Sequence, residues 1–417
     1  MYNQFLKNKL LKETFWSFLS KGSAFVLFLV FNVFLSRTLG VENFGKWSFY
    51  FSIISIISVL SYFGINNASN KFIAQFNKTI FIKDVINSSI KIRFFISLIF
   101  SVVFLIFSQI ILINYGNLEM KRFFLCATPF IFLSGFVEYL KSVFSGLHRI
   151  KFNFIITILE YGFKLIFILF LVILSTKLWV VMGSLVLSLF ITSLIGLYLL
   201  YNFFYNSLKQ TGKDFKKKIL QYSYPLLIIS LGSLALTEID TVMIGLLSSS
   251  YEVGVYAIAK QIILKLPHIS FAIALGTMPI FAKITEENKE ELKKKFLKII
   301  KINALIFTIV CVLLVFLSPF FIPLIFGVAY KASVLPLQIL SIYLFFLASS
   351  IILNNFLDYS GKAKKRAIHM SITLCFNVLL NLILIPKYGS VGAAISTTIS
   401  YTPYVILNWI EVKKVLR

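Results

Sequence analysis

Charged side chains stand inside several long apolar runs of this 417-residue sequence, and they are its strongest chemical signal. They are Lys21, Glu138, Lys141, Glu160, Lys164, Glu238, Asp240, Lys260 and Lys265. Placing one charge at the centre of a bilayer costs about 2.5–3.5 kcal/mol on insertion scales. Such residues are therefore expected to pair with one another, to line a water-filled cavity, or to bind a charged ligand.

Two pairs of these charges have helical spacing. Glu160 and Lys164 are four residues apart, and Glu138 and Lys141 are three apart, so each pair lies on one face of a helix. Glu138 and Lys141 are close to the end of their run, which predicts a structural pair. Glu160 and Lys164 lie deeper and are predicted to present a polar face to a cavity, with Lys164 binding substrate and Glu160 coupling an ion.

The other lysines differ in depth. Lys265 is about ten residues into its run, which at about 1.5 Å per residue places it some 15 Å deep, beside His268. We expect it to face a wet cavity and bind substrate. Lys21 and Lys260 are also candidate substrate ligands, although each of them either lines the cavity or extends its long side chain to the head groups.

Glu238 and Asp240 are two residues apart and therefore point about 200° away from each other on a helix. A carboxylate in apolar surroundings takes up a proton readily, which suits a proton relay. Sodium binding, or pairing with Lys260 or Lys265, would explain the same residues equally well. Both are candidate ion-coupling residues.

The composition is that of a membrane protein. Hydrophobic residues make up 59% and charged residues 14%, whereas soluble domains have about 45–50% and about 25%. A water-soluble globular protein, a disordered chain and a disulfide-rich secreted chain are excluded. The runs are continuously apolar, which predicts an all-α polytopic protein of about twelve transmembrane helices. The predicted spans are 14–35, 46–66, 92–114, 123–143, 153–175, 179–202, 223–247, 255–281, 302–326, 334–357, 368–386 and 390–411.

The net charge of +25 has a topological explanation. If the N-terminus is cytoplasmic, the outward segments carry few of the 41 Lys and Arg residues. The cations in the outward segments are Arg37, Lys46, Lys121, Arg122, Lys177, Lys331 and Lys387. This bias predicts both termini inside, and no nucleic-acid partner is needed to explain the charge. Segment 286–301 is predicted to be an amphipathic helix on the inner surface, with lysines that meet anionic lipids.

An internal repeat relates the two halves of the chain. LGVENFGKWSF (39–49) and SSYEVGVYAIA (249–259) share an acidic residue, a glycine and an aromatic residue in the same order. GINNASNK (64–71) and GTMPIFAK (276–283) repeat at a similar separation, about half the chain. We predict two six-helix halves, 1–205 and 206–417, in parallel orientation, with a substrate site between them.

Motifs for covalent chemistry are missing from the sequence. It contains no GxxxxGK[ST] loop, no His or Cys pair with metal-ligand spacing and no nucleophile–His arrangement. We therefore expect no catalytic residues, no cofactor and no metal site, and a protein that is not an enzyme. A membrane-embedded polymerase or glycosyltransferase would need a large outer loop, and the predicted outer loops have about ten residues at most.

Several segments together resemble one family. SRTLGVENFGKWSF followed by GINNASNKFIA, then YPLLIISLGSLALTEIDTVMIGLLSSSYEVGVYAIAK (224–260) and IFGVAYKASVLPLQIL (325–340), are similar to oligosaccharide flippases, also called O-antigen repeat-unit transporters. The resemblance covers nearly the whole chain and extends to the multidrug and peptidoglycan-precursor exporters. It implies two six-helix bundles around a central cavity in the bacterial inner membrane.

The resemblance also implies a cargo, an undecaprenyl-diphosphate-linked oligosaccharide that moves from the inner to the outer leaflet. Its diphosphate would be met by lysines, and its sugars by polar residues such as Asn66, Asn67 and Asn70 near the inner mouth. H⁺ or Na⁺ would drive the cycle, and a polysaccharide polymerase and chain-length proteins are expected partners. The alternative is a drug or organic-cation antiporter of the same fold. That function favours an acidic cavity, whereas cations here are at least as frequent as acids inside the spans.

Overall fold

The computed structural model describes residues 2–115, 118–206, 210–267, 270, 271, 274 and 289–416. Every long regular element in that part of the chain is an α-helix, as the continuously apolar runs predicted. In chain order they are α1 (Tyr2–Tyr62), α2 (Ile65–Phe76), α3 (Ile82–Tyr115), α4 (Leu118–Gly146), α5 (Ile150–Leu174), α6 (Leu178–Leu200), α7 (Lys216–Leu247), α8 (Ser250–Lys265), α9 (Lys289–Phe326), α10 (Val334–Tyr359) and α11 (Ala363–Leu416).

Eight helices among the described residues are long and apolar enough to cross a membrane, or nine if the two arms of α7 form one span bent by 49°. The protein is therefore an all-α, multi-pass membrane protein. Helix α1 contains the first two predicted spans, and helix α11 contains the last two. Each of these helices counts once among the eight, so counting their two arms separately adds two spans. The predicted span 255–281 lies largely outside the described residues after Pro267.

Single glycines join the arms of α1 and α11. Gly40 has φ 71° and ψ 171°, and Gly389 has φ 54° and ψ −128°, a region that glycine enters without steric cost. The predicted spans 14–35 and 46–66 left residues 36–45 as a loop, which is wrong, because the residues on both sides of Gly40 are helical. A single residue, rather than a loop, separates the two arms of each long helix.

The helices form two compact units. The first contains Met1–Thr38 and Ile53–Leu234, and the second contains Leu39–Ser52 and Ala235–Arg417. Residues 39–52 of the N-terminal half thus pack with the second unit, and most of the first arm of α7 packs with the first. The division into halves at 205/206 describes the sequence repeat and stays a prediction.

In the first unit, α4 packs against α2, α3 and α6. The connection that precedes α7 is fixed by Asp84 at the start of α3. Its carboxylate accepts hydrogen bonds from the backbone N–H of Thr211 at 3.0 Å, the Thr211 hydroxyl at 2.5 Å and the N–H of Gly212 at 3.1 Å. Three donors to one charged acceptor hold this segment against the bundle.

In the second unit, α10 packs against α8, α9 and α11. Helix α9 has 38 residues, about 57 Å at 1.5 Å per residue, and so outruns a bilayer core of about 30 Å. Its first turns carry the amphipathic pattern predicted for 286–301. Leu292 and Phe296 are buried there in one core with Phe356 and Val412. The apolar face of this segment therefore packs on protein.

The two copies of the first repeat motif contact each other inside the second unit. A Cβ on Gly45 would meet the backbone oxygen of Ser250, and a Cβ on Gly254 would meet the backbone oxygen of Val41. The same separation along the chain relates Val41 to Ser250 and Gly45 to Gly254, so the contact is reciprocal. Small residues at this spacing let two membrane helices cross closely. The second repeat partner, 276–283, lies outside the described residues.

Candidate functional site

Four charged side chains meet on α4 and α5 in the first unit. The Lys141 ammonium donates to Glu138 Oε1 at 2.6 Å and to Glu160 Oε2 at 2.5 Å. Lys164 donates to the other oxygen of Glu160. The cluster contains two cations and two anions, so its net charge is zero. A neutral cluster of this kind is tolerated in a membrane at far lower cost than a lone charge.

Neutral groups complete this cluster. The Ser188 hydroxyl on α6 donates to the backbone oxygen of Glu160 at 2.8 Å. Asn153 donates to the backbone oxygen of Lys141 at 3.2 Å. The side chains of Lys141 and Lys164 are 13% and 15% exposed, and that of Glu160 is 8% exposed. The ammonium groups are thus held in a mostly dry environment but retain some access from outside.

The sequence predicted the pair of Glu160 and Lys164, and that pair forms. It did not predict that Lys141 is shared between Glu138 and Glu160. The spacing of Glu138 and Lys141 already gave Lys141 a partner on the same helix. Nothing in the sequence then indicated its second contact, with Glu160 on the neighbouring helix. The four residues form one site, whereas their spacing alone suggested two.

Arg93 on α3 is a second feature that the sequence misassigned. It was left out of the charged side chains placed inside the apolar runs, yet its side chain is completely buried. Nη1 donates to the backbone oxygen of Ser61 at 2.8 Å, and the guanidinium lies 5.1 Å from the ring centroid of Tyr62. A fully buried arginine has to be explained by its surroundings, because transfer of a charge out of water is expensive.

Asp240 is the centre of the polar site in the second unit. It is 2% exposed. Its Oδ2 accepts from the hydroxyls of Tyr256 at 2.7 Å and Thr397 at 2.6 Å, and its Oδ1 accepts from the amide of Asn381 at 2.7 Å. These donors, which α8 and α11 supply from the described part of the chain, are all neutral. The carboxylate is therefore bound by hydrogen bonds without a neighbouring cation to balance its charge.

Oxygen atoms suitable for a small cation surround this carboxylate. Asn377 is one helical turn from Asn381 and accepts from its amide at 3.1 Å. Oδ1 of Asn381 is buried and has no hydrogen-bond partner among the described residues. One carboxylate with amide and hydroxyl oxygens is the donor set that hard cations prefer. The oxygen atoms around Asp240 therefore match the ligand set of a small hard cation.

Glu238 belongs to a separate set of contacts, as its position two residues before Asp240 predicted. Its Oε2 accepts from Lys260 Nζ at 2.8 Å and from the hydroxyl of Ser52 at 2.6 Å. Lys260 also donates to Thr241 at 2.8 Å. Of the alternatives that the sequence left open, the pairing of Lys260 with a carboxylate is the one found, and the carboxylate is Glu238.

A narrow cavity joins the surroundings of Asp240 and Lys260. Both residues line it, together with Thr237, Tyr256, Ile263, Leu264, Leu340, Tyr343 and Thr397. A carboxylate without a cation and an ammonium already paired with Glu238 thus face the same space. Polar ligands in this space would meet both charges.

The remaining predicted residues lie apart from these clusters. Lys265 is half-buried at the end of α8, and Lys21 is exposed on α1. Asn66 and Asn70 are half-buried and Asn67 is exposed, all on the short helix α2. His268, which the sequence placed beside Lys265, lies outside the described residues. The substrate contacts of these residues stay predictions.

The helical fold and its apolar spans are those of a multi-pass membrane protein, and comparisons with known proteins agree. The family model described as Polysaccharide biosynthesis protein matches residues 10–285, and the MatE model matches residues 225–383. An inward-facing multidrug resistance MATE family transporter of the MOP superfamily superposes with a TM-score of 0.70 at 15% identity, covering 94% of each chain. A MOP superfamily transporter from Pyrococcus furiosus superposes with a TM-score of 0.67 at 16% identity, over 95% of this chain and 93% of the other.

The chain belongs to the polysaccharide biosynthesis protein family, whose model matches about two thirds of it. An uncharacterized membrane protein of Methanocaldococcus jannaschii is 27% identical over 91% of both chains. The capsular polysaccharide biosynthesis protein CapF of Staphylococcus aureus is 30% identical over 44% of this chain and 47% of its own. A probable multidrug resistance protein NorM of Bacillus cereus is 28% identical over 48% of this chain and 47% of its own. The relatives thus include both a polysaccharide biosynthesis protein and a probable multidrug resistance protein.

Proposed function

We propose that this protein is a flippase. It moves an undecaprenyl-diphosphate-linked oligosaccharide from the inner to the outer leaflet of the bacterial cytoplasmic membrane, and both of its termini are cytoplasmic. The observation that carries the proposal is the pair of nearly buried ammonium groups, Lys141 and Lys164, held together by the carboxylate of Glu160. A phosphate is the anion that would compete for such groups.

The chemistry of the cargo fits lysine. A lipid diphosphate cannot cross hydrocarbon with its charge uncompensated. Lysine is a compact point charge with three donors on a flexible stem, which suits an anion that has to bind and then leave. Because carboxylates already hold Lys141 and Lys164, a phosphate would have to displace a carboxylate from an ammonium group in order to bind. Asn66, Asn67, Asn70 and Lys265 are proposed to meet the sugars and the second phosphate.

Ion coupling is proposed for Asp240. Binding of H⁺ or Na⁺ would neutralise a carboxylate that only neutral donors contact among the described residues. Energy stored in an ion gradient would then bias the conformational cycle by alternating access. The flipped repeat unit would next be consumed by a polysaccharide polymerase and its chain-length proteins.

A drug or organic-cation antiporter is the second candidate function. Asp240 favours it, because a carboxylate in a cavity also attracts cationic drugs, and the relationship to NorM proteins supports it. Substitutions in the two charge clusters would distinguish the two functions. An antiporter would use Asp240 for its substrate and would tolerate the loss of Lys164.

The test uses vesicles that contain the purified full-length chain and a fluorescent undecaprenyl-diphosphate-linked N-acetylglucosamine. A membrane-impermeant reductant bleaches the outer leaflet, so flipping converts protected fluorescence into bleached fluorescence. The proposal predicts flipping by the wild type, a large loss in Lys164→Met, and no loss in Lys46→Met, whose side chain is 38% exposed and paired with Glu42. If the same vesicles transport ethidium but do not flip the lipid, the antiporter is the correct function.

A further inference from the structure

Arg93 leaves part of its hydrogen-bonding capacity unused. Nη1 donates to Ser61, but Nε and Nη2 are buried and have no acceptor among the described residues. Nε–H and one N–H of Nη2 lie side by side on one edge of the guanidinium, and this edge binds a carboxylate with two parallel hydrogen bonds. A buried cation with its two-donor edge vacant is adapted to receive an anion that is not there in this conformation.

One face of α4 brings a carboxylate within reach of that edge. The guanidinium lies directly over Gly135, since a Cβ there would overlap Nη2. Glu138 is three residues further along α4, and Lys141 three beyond it, so all three positions lie on the same side of the helix. Glu138 therefore lies along α4 between the glycine that Arg93 covers and Lys141, to which it is paired.

Glu138 is also the more exposed carboxylate of the cluster. Its side chain is 47% exposed, whereas that of Glu160 is 8% exposed and is held by two lysines. A change of side-chain rotamer would carry the Glu138 carboxylate from Lys141 toward Gly135 without movement of the backbone. The glycine provides the space in which the guanidinium and this carboxylate would meet.

We propose that Glu138 is a two-position carboxylate and that Arg93 is the positioning residue that receives it. In the conformation described, Glu138 neutralises Lys141. When the diphosphate of the cargo approaches Lys141, it repels Glu138, which then pairs with the vacant edge of Arg93. This inference rests on the proposed function, in which Lys141 binds the anionic cargo, and adds the fate of the carboxylate that the cargo displaces. Arg93 thereby keeps the displaced carboxylate from competing with the phosphate.

The proposal predicts a specific pattern of coupling between two substitutions. Arg93→Gln removes the alternative partner, so Glu138 keeps competing for Lys141, and diphosphate affinity falls about tenfold, the scale of one charge-assisted hydrogen bond. Glu138→Gln removes the competitor and tightens binding. Most importantly, Arg93→Gln has no effect once Glu138→Gln is present, because there is no carboxylate left to receive. Arg93→Lys keeps the charge without the two-donor edge and should be intermediate.

Binding of undecaprenyl diphosphate to the full-length chain in nanodiscs measures this pattern, with the uncharged undecaprenol as control. Thermal unfolding of each variant separates affinity from stability. If Arg93→Gln weakens binding equally with and without Glu138→Gln, or if it does not weaken binding, the two-position role is wrong. If the wild type binds undecaprenyl diphosphate no better than undecaprenol, the proposed function and this inference both fail. Loss of affinity that follows loss of stability across the variants would make Arg93 a structural residue.

Discussion

Glu160→Gln tests the electrostatic account of the cluster on α4 and α5. Glu160 accepts from Lys141 at 2.5 Å and from Lys164, with its side chain 8% exposed. At an effective dielectric constant of about 20, one contact at that distance contributes an attraction of about 7 kcal/mol. Much of this attraction offsets the desolvation of the charges. Removal of one member of a buried pair typically costs about 3–5 kcal/mol.

We expect Glu160→Gln to cost about 3–5 kcal/mol, because it leaves two buried ammonium groups to share Glu138 alone. The double variant Glu160→Gln with Lys164→Met should cost less than the single one, since it restores an equal number of cations and anions. Unfolding of the purified chain by titration with sodium dodecyl sulfate in mixed micelles measures both. Glu42→Gln, which breaks an ion pair whose carboxylate side chain is 68% exposed, is the matched control and should cost at most about 1 kcal/mol.

A cost for Glu160→Gln no larger than that of Glu42→Gln would refute the reasoning. The electrostatic account would fail as well if the double variant were less stable than the single variant. In either case the lysines would be stabilised by water or head groups, and the carboxylate would not be the group that keeps them in the membrane. The proposed exchange of carboxylate for phosphate would then lose its basis.

Three further predictions concern the second unit. Lys265→Ala should lower surface-polysaccharide display several-fold at unchanged protein abundance, measured with a sugar-specific antibody, and full display would remove Lys265 from transport. Asp240→Asn should abolish the dependence of transport on a proton or sodium gradient in vesicles while leaving exchange without a gradient, because an amide cannot be neutralised by a cation; an unchanged dependence would place coupling elsewhere. Gly254→Ala should destabilise the chain by about 1–3 kcal/mol because a Cβ meets the Val41 backbone oxygen, whereas Gly162→Ala, with open space around it, should be tolerated in the same unfolding assay.

The apolar runs and the motifs of the sequence predicted much of the fold. Continuous apolar runs predicted helices, and the family resemblance agreed with the comparisons. The loop between the first two predicted spans was wrong at Gly40, because apolar and polar patterns do not distinguish a loop from a single glycine that turns the backbone. Such patterns also could not predict that residues 39–52 pack in the second unit. That packing depends on contacts with Ser250 and Gly254, about half a chain away.

The candidate site was predictable only where its contacts are local. Spacing identified Glu160 with Lys164, and separated Glu238 from Asp240. It did not reveal that Lys141 joins two carboxylates, because that contact crosses from α4 to α5. Asn377 and Asn381 carried a usable signal, two amides four residues apart in an apolar run. Arg93 carried none, since a cation near the start of a span is indistinguishable in sequence from one in a cytoplasmic loop.

The reciprocal crossing of Val41 and Gly45 with Ser250 and Gly254 is the kind of interface that two identical subunits make around a twofold axis. A single ancestral gene whose product assembled as a homodimer would have formed this contact before duplication and fusion. Each glycine would then have served both sides of the interface at once. After fusion the two copies were free to diverge in sequence and in chemistry.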